Sequence, residues 1–176
     1  IYMIFISPPF GNYLRISNTI SIRGSFTVEP RPGLIMQILK TLRYSVEKQA
    51  WINKIGLRNK GLDWAIDQYK QSKREQIISI AIMEKNDIPK ILQKIPENMN
   101  IELNVSCPNA EKQMINQGLS EFVNNKRKWC IIKVSPTTSL QTLDNYYEQG
   151  FRQFHCSNTL PTPKGGMSGK ELIPYN

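Results

Sequence analysis

Ile101-Glu102-Leu103-Asn104-Val105-Ser106-Cys107-Pro108-Asn109 decides the fold, because an apolar strand pattern ends there in polar and reactive side chains grouped around one thiol. A parallel strand with chemistry at its C-terminal end is how a barrel presents a site on its rim. Outward from this stretch, short β-rich runs alternate with segments of helical period, the pattern of βα units and a parallel sheet. The runs are Tyr2-Ser7, Thr19-Thr27, Gln76-Ile82, Asn100-Ser106, Trp129-Ser135 and Phe151-Ser157. Six strands are therefore expected.

Helical period fills the gaps between them. Leu34, Ile35, Ile38, Leu39 and Leu42 give one apolar face, and Ile88, Ile91, Leu92 and Ile95 give another. Met114, Leu119, Phe122 and Val123 make a looser third face. Leu140, Leu143 and Tyr147 follow the capping cluster Thr137-Thr138-Ser139 and stop at Gly150. No GxGxxG or phosphate loop follows the first strand, and polar motifs terminate almost every strand instead. That distribution favours a barrel rim over an open doubly wound sheet. No low-complexity tract or Gly-Ser linker divides the chain, so residues 1–176 are expected to form one domain.

Composition bounds the partners. A chain of 176 residues can bury a sizeable core. The net charge of +9 suits an anionic partner, but Lys126-Arg127-Lys128 and Lys70-Gln71-Ser72-Lys73-Arg74 fall where helices are expected to end, and cations there complement the dipole. Solvated helix ends are preferred to a nucleic-acid surface. Cys107, Cys130 and Cys156 form no CxxC pair and no disulfide framework, which points to a reducing compartment. With His155 as the one histidine, no metal site is expected. The apolar opening Ile1-Ile6 stops at Ser7-Pro8-Pro9, far short of the roughly 20 residues of a membrane span, and reads as a buried strand.

Seven motifs in collinear order carry a resemblance. They are Ser7-Pro8-Pro9-Phe10-Gly11, the run Gly24-Gly33 (GSFTVEPRPG), Asn53-Lys54-Ile55-Gly56-Leu57-Arg58-Asn59, the Cys107 motif, Ile132-Lys133-Val134-Ser135-Pro136, Ser157-Asn158-Thr159-Leu160 and Gly165-Gly166-Met167-Ser168-Gly169. Together they resemble the dihydroorotate dehydrogenase family, flavoenzymes of pyrimidine synthesis built on a TIM (β/α)8 barrel with FMN at the strand ends. The cysteine resembles class 1, whose members are soluble, so a cytoplasmic location is expected. The resemblance implies oxidation of (S)-dihydroorotate to orotate, with the small-molecule substrate as the principal partner and homo-oligomerisation left open.

Residue roles follow from the same resemblance. Cys107 matches the general base that takes a proton from a ring carbon while hydride leaves the adjacent carbon for flavin N5. A free cysteine is ordinarily a small buried hydrophobe, but Asn104 and Asn109 flank this one. Asn53, Asn104, Asn109 and Asn158 offer both donors and acceptors, as a ring bearing alternating C=O and N–H groups requires. With Thr159, and with Ile55, Gly56 and Leu57 in the loop matching the one against the substrate carboxylate, they form the expected substrate set. Lys133 stands out in its own right, because a lysine inside the apolar run Cys130-Val134 needs a partner. In relatives the matching lysine contacts the flavin. Ser7, Gly24, Ser25, Asn104, Lys133, Ser168 and Gly169 make up the expected FMN set.

Three departures stand beside the matches. Gly24 occupies the position where class 1 relatives usually carry a lysine, and alternation aims the adjacent Arg23 at the opposite face. Ser79 stands where relatives often use a flavin-contacting asparagine. Relatives also continue past Gly169 through two further βα units, so a partial barrel, incomplete at its C-terminus and weak in FMN binding alone, is expected. The alternatives are a dihydropyrimidine dehydrogenase-like flavin reductase and a basic, non-catalytic nucleic-acid-binding domain.

Overall fold

The structure, a computed structural model, describes residues 3–106 and 118–175. In chain order its strands are β1 (Ile4–Ile6), β2 (Thr19–Phe26), β3 (Arg43–Ser45), β4 (Ala50–Asn53), β5 (Gln76–Ala81), β6 (Ile101–Asn104), β7 (Cys130–Lys133), β8 (Gln153–His155), β9 (Leu160–Thr162) and β10 (Gly165–Gly169). The α-helices are α1 (Leu34–Thr41), α2 (Leu62–Gln71), α3 (Asp87–Lys94) and α4 (Leu140–Glu148).

The main sheet has the order β1-β2-β5-β6-β7-β8, and every neighbouring pair is parallel. Its six strands coincide with the six runs read from the sequence. The order never reverses along the chain, whereas a doubly wound sheet places its first strand centrally and turns back. The sheet curls into half of a barrel, so the expectation of a partial (β/α) barrel holds.

Strand alternation sorts the side chains of this sheet onto two faces. Ile78, Ile80, Ile101, Leu103, Ile132 and Val134 turn outward and pack against Leu62, Ala65 and Ile66 of α2, Ile88 and Ile91 of α3, and Tyr146 of α4. Burying each large aliphatic side chain contributes about 1.5–3 kcal/mol. On the inner face, Ile20, Ile22, Ile77 and Ile131 form a smaller apolar floor with Trp129. Two residues further along the same strands the inner face turns polar, with Ser79 after Ile77 and Lys133 after Ile131. A cup results, apolar at its base and polar toward the C-terminal strand ends.

The helix faces agree with the sequence pattern only in part. Ile88, Ile91 and Ile95 are buried as their spacing predicts. On α4 the Ser139 side chain accepts from Thr142 N at 3.2 Å and Gly150 follows at a φ of 100°, as the capping cluster implies. The buried residue there is Tyr146, with Leu143 beside it, while Leu140 and Tyr147 are exposed. An (i, i+3) phase from Leu143, rather than from Leu140, faces the sheet. The Leu119–Phe122 segment is a 3-10 turn with both ends buried; Met114 lies outside the described residues. Lys126-Arg127-Lys128 is no helix terminus. It precedes β7, with Lys126 paired to Glu97, Lys128 to Glu75, and Arg127 buried and donating to Met99 O.

A second sheet, absent from the sequence reading, runs β3-β4-β10-β9 and is antiparallel throughout. Both of its halves leave from C-terminal strand ends, one after β2 and the other after β8. It therefore stands at the mouth of the cup. Helix α1 belongs to this second region, anchored by Gln37 Nε2 donating to Lys54 O and Thr41 Oγ1 accepting from Lys54 N. None of its residues is buried.

Candidate active site

At the C-terminal ends of β1, β2, β5, β6 and β8 the inward side chains join in one hydrogen-bonded chain. Asn158 Nδ2 donates to Ser106 Oγ, and Ser106 Oγ donates to Asn104 Oδ1 at 2.5 Å. Asn104 Nδ2 reaches Ser25 Oγ at 2.9 Å, which lies 2.8 Å from Ser79 Oγ. Ser79 Oγ donates to Glu102 Oε1 at 2.7 Å. From the other side, His155 Nδ1 meets Glu102 Oε2 at 2.6 Å, and His155 Nε2 lies 3.4 Å from Ser7 Oγ.

Donor and acceptor chemistry gives the chain a direction. An ionised carboxylate only accepts, so His155 Nδ1 carries a proton and Ser79 spends its hydroxyl proton on Glu102. Ser25 must then donate to Ser79, leaving its lone pair for Asn104. From Asn158 through Ser79 every link points toward Glu102, an arrangement in which successive bonds polarise one another.

Glu102 is completely buried, and burial raises its carboxyl; the His155 hydrogen bond, the Lys133 and His155 charges and the Ser79 hydrogen bond together hold it below the ordinary carboxylate value. The Lys133 ammonium completes the cluster 4.0 Å from Glu102 Oε1, with its side chain 8% exposed. At that separation the two attract without a hydrogen bond. Among the described residues Lys133 donates to no other acceptor, so a nearly buried ammonium keeps its donors free at the wall of the cup.

The structure brings together Ser7, Ser25, Asn104, Lys133 and Asn158 from the sequence-derived set. Gly24 packs against the same wall, and a Cβ there would come within 2.4 Å of Ser79 O. Arg23 lies on the helix side, 5.7 Å from the Trp64 ring, as alternation requires. Asn53 ends β4 opposite Gly166 of β10, and its Oδ1 accepts from Ile55 N at 3.3 Å. Gly56 and Leu57 follow with φ of 68° and 54°, turning the loop back toward β2. Thr159 covers Gly166 from the other side, where a Cβ would lie 2.4 Å from its Oγ1. Ser168 and Gly169 pair with Trp51 and Ala50 in the antiparallel ladder, and no described contact joins them to the cup. Cys107 and Asn109 lie outside the described residues.

Three residues of this network were given no role from the sequence. Glu102 and Ser106 sit in the deciding stretch itself, and a glutamate inside a strand of apolar neighbours was as anomalous there as Lys133. His155 is the third, and outside the network Asn59 too had no role assigned. Asn59 Oδ1 accepts from Thr27 N and Gly61 N, while its Nδ2 donates to Thr27 Oγ1 and Leu57 O. These bonds hold the Asn53-Leu57 loop beside the end of β2. A cavity lined by Glu47, Lys48, Gln49, Lys170 and Glu171 shares no residue with this site. Among the described residues no cluster of His, Cys, Asp and Glu could hold a metal ion, and no helix is long and apolar enough to cross a membrane.

Comparison with known proteins supplies the lineage of this arrangement. The family profile of dihydroorotate dehydrogenase matches residues 12–149, most of the half-barrel. The chain belongs to the dihydroorotate dehydrogenase family. The catalytic subunit of dihydroorotate dehydrogenase B (NAD(+)) from Bacteroides thetaiotaomicron is 28% identical over 155 residues, covering 70% of this chain and 51% of that protein. The corresponding subunit from Petrotoga mobilis is 30% identical over 140 residues, covering 69% of this chain and 46% of its own length. The chain spans about half the length of the curated relatives it matches. Dihydroorotate dehydrogenases are flavin oxidoreductases acting on a small molecule, and the cup lies at the C-terminal strand ends, the face where TIM barrels in general carry their chemistry.

Proposed function

We propose that this chain provides the polar wall of an FMN site at which (S)-dihydroorotate is oxidised to orotate in the cytoplasm. The observation that carries the reading is Lys133, a nearly buried ammonium that donates to no acceptor among the described residues, beside a hydrogen-bonded row of serine and asparagine side chains. A buried cation of this kind calls for an electron-rich partner. The pyrimidine edge of a flavin, with its carbonyl oxygens and ring nitrogens, has that chemistry. Ser7, Gly24, Ser25 and Asn104 would hold the ring system against the wall, Ser168 and Gly169 its phosphate end.

FMN, when bound, supplies the hydride acceptor. The chain's own residues handle the proton and the geometry. Cys107 as thiolate takes the C5 proton of dihydroorotate while the C6 hydrogen departs with its electron pair, so two hydrogens leave and a ring double bond forms. Asn53, Asn104, Asn109 and Asn158 pair with the ring carbonyl and N–H groups, and Thr159 adds a hydroxyl. The backbone of Ile55, Gly56 and Leu57 lies against the substrate carboxylate, where glycine permits close approach. Ser106, bonded to both Asn104 and Asn158, fixes two of these amides relative to each other.

The test uses the whole polypeptide that contains this chain. Purified with FMN under anaerobic conditions, it should lose flavin absorbance on addition of dihydroorotate, and Cys107→Ala should slow this by about 10²–10⁴-fold, the usual worth of a positioned base. Bleaching by dihydrouracil instead would assign the dihydropyrimidine reductase reading. No flavin retention would defeat both.

A further inference from the structure

Beyond the expected flavin and substrate contacts, the inner wall holds a carboxylate and imidazole pair. Glu102 and His155 meet at 2.6 Å through Nδ1, with Glu102 completely buried and the His155 side chain 20% exposed. Because the ionised carboxylate can only accept, Nδ1 carries a proton and the ring is fixed in one orientation. Its other nitrogen, Nε2, is therefore the end presented beyond Glu102, and its described neighbour is Ser7 at a loose 3.4 Å. His155 and Lys133 are register partners on adjacent strands, so their side chains rise from the same face of the sheet. Glu102 on β6 and Lys133 on β7 are the described charged groups contacting this pair; Ser79 and Ser7 supply its hydroxyls.

We propose that His155 is a ligand-contacting residue of this site: held by Glu102 at Nδ1, it presents Nε2 beside the Lys133 ammonium to the same pyrimidine edge of the flavin. Glu102 is the positioning residue of the pair. The inference rests on the flavin reading above. It also accounts for Gly24, where the backbone leaves no room for a cationic side chain, because the wall gains a second basic group from β8 instead. A carboxylate, an imidazole and an ammonium then form one unit, in which Glu102 offsets the burial of Lys133 while His155 and Lys133 face the ligand.

The experiment has a part without cofactor and a part with it. In the whole polypeptide free of FMN, the ¹⁵N signals of His155, assigned by their loss in His155→Gln, should show a protonated Nδ1 with a strongly deshielded proton, lost in Glu102→Gln; an unprotonated Nδ1 overturns the proposal. On FMN addition the Nε2 resonance should shift. His155→Asn should weaken FMN binding about tenfold, the worth of one hydrogen bond. His155→Gln, which extends an amide toward the Nε2 position, should recover part of that loss, a rescue that a merely structural histidine would not give. Unchanged FMN affinity in a folded His155→Asn variant overturns the proposal while leaving the flavin reading intact. Failure of the wild-type polypeptide to bind FMN overturns both.

Discussion

The two sheets of this molecule solve opposite problems. The parallel sheet is covered by α2, α3 and α4 on one face, and on the other it carries buried polar groups that satisfy one another in a directed chain ending on Glu102. The antiparallel sheet and α1 leave large apolar groups open, with Ile35 75%, Leu39 68% and Trp51 49% exposed. Inside the antiparallel sheet the close contacts are made by glycines, with Gly165 against Asn53 O and Gly166 against Thr159. Stability thus resides in the first region. The second acts as a platform that brings the Asn53 loop and Thr159 toward the cup.

The largest effect is expected where the first region depends on charge. Glu102→Ala leaves the Lys133 ammonium buried without its counter-charge and removes the acceptor from both Ser79 and His155. Breaking a buried pair from one side costs about 3–5 kcal/mol, read as a lower urea midpoint. The double variant Glu102→Leu with Lys133→Met should recover most of that, since an apolar pair of similar volume replaces a buried ion pair at little cost. Because Glu102 is held below its ordinary value in the folded state, its contribution is present above the unfolded carboxylate value and is lost as pH falls through the folded one. Acid unfolding should therefore begin at higher pH in wild type than in the double variant. The reverse order would show that the cluster does not govern acid stability.

Next comes the apolar side of the same strand. Leu103 is fully buried between the sheet and its helices, and Leu103→Ala should cost about 2–5 kcal/mol through lost burial and the cavity left behind. A loss below 1 kcal/mol in calorimetry would mean the outer core is looser than its burial implies.

Gly24→Lys is expected to have an intermediate effect, and it bears on what the sequence could reveal. Placing a lysine where class 1 relatives have one looks like a repair. With φ at 136° and Ser79 O 2.4 Å from the new Cβ, it should instead destabilise by about 1–3 kcal/mol and fail to strengthen FMN binding. The six parallel strands were legible because each is a β-rich run bounded by helical period, and Lys133 because a cation among isoleucines contradicts its surroundings. Glu102 broke the same rule but was hidden inside a motif whose interest lay in Cys107. His155 could not be placed, since its partner is 53 positions away and only the β6-β7-β8 order brings them together. The antiparallel sheet escaped notice because Arg43–Ser45 and Leu160–Thr162 are three residues each, too short for alternation to register.

The smallest effect is expected at α1, and it tests the comparison most directly. Leu34, Ile35, Ile38, Leu39 and Leu42 have the spacing of a core helix, and the same pattern on α3 is buried. What differs is the support beneath: α3 connects two adjacent strands of the parallel sheet, whereas α1 is followed by a β-hairpin and is tied down by Gln37 and Thr41. Periodicity records that a helix has an apolar side, not that the fold supplies a surface to cover it. Leu39→Glu should accordingly shift the urea midpoint by no more than about 0.5 kcal/mol equivalent, against several for Leu103→Ala. A loss above 2 kcal/mol would mean that Leu39 is covered in solution, and the contrast between a self-sufficient sheet and an open platform would have to be withdrawn.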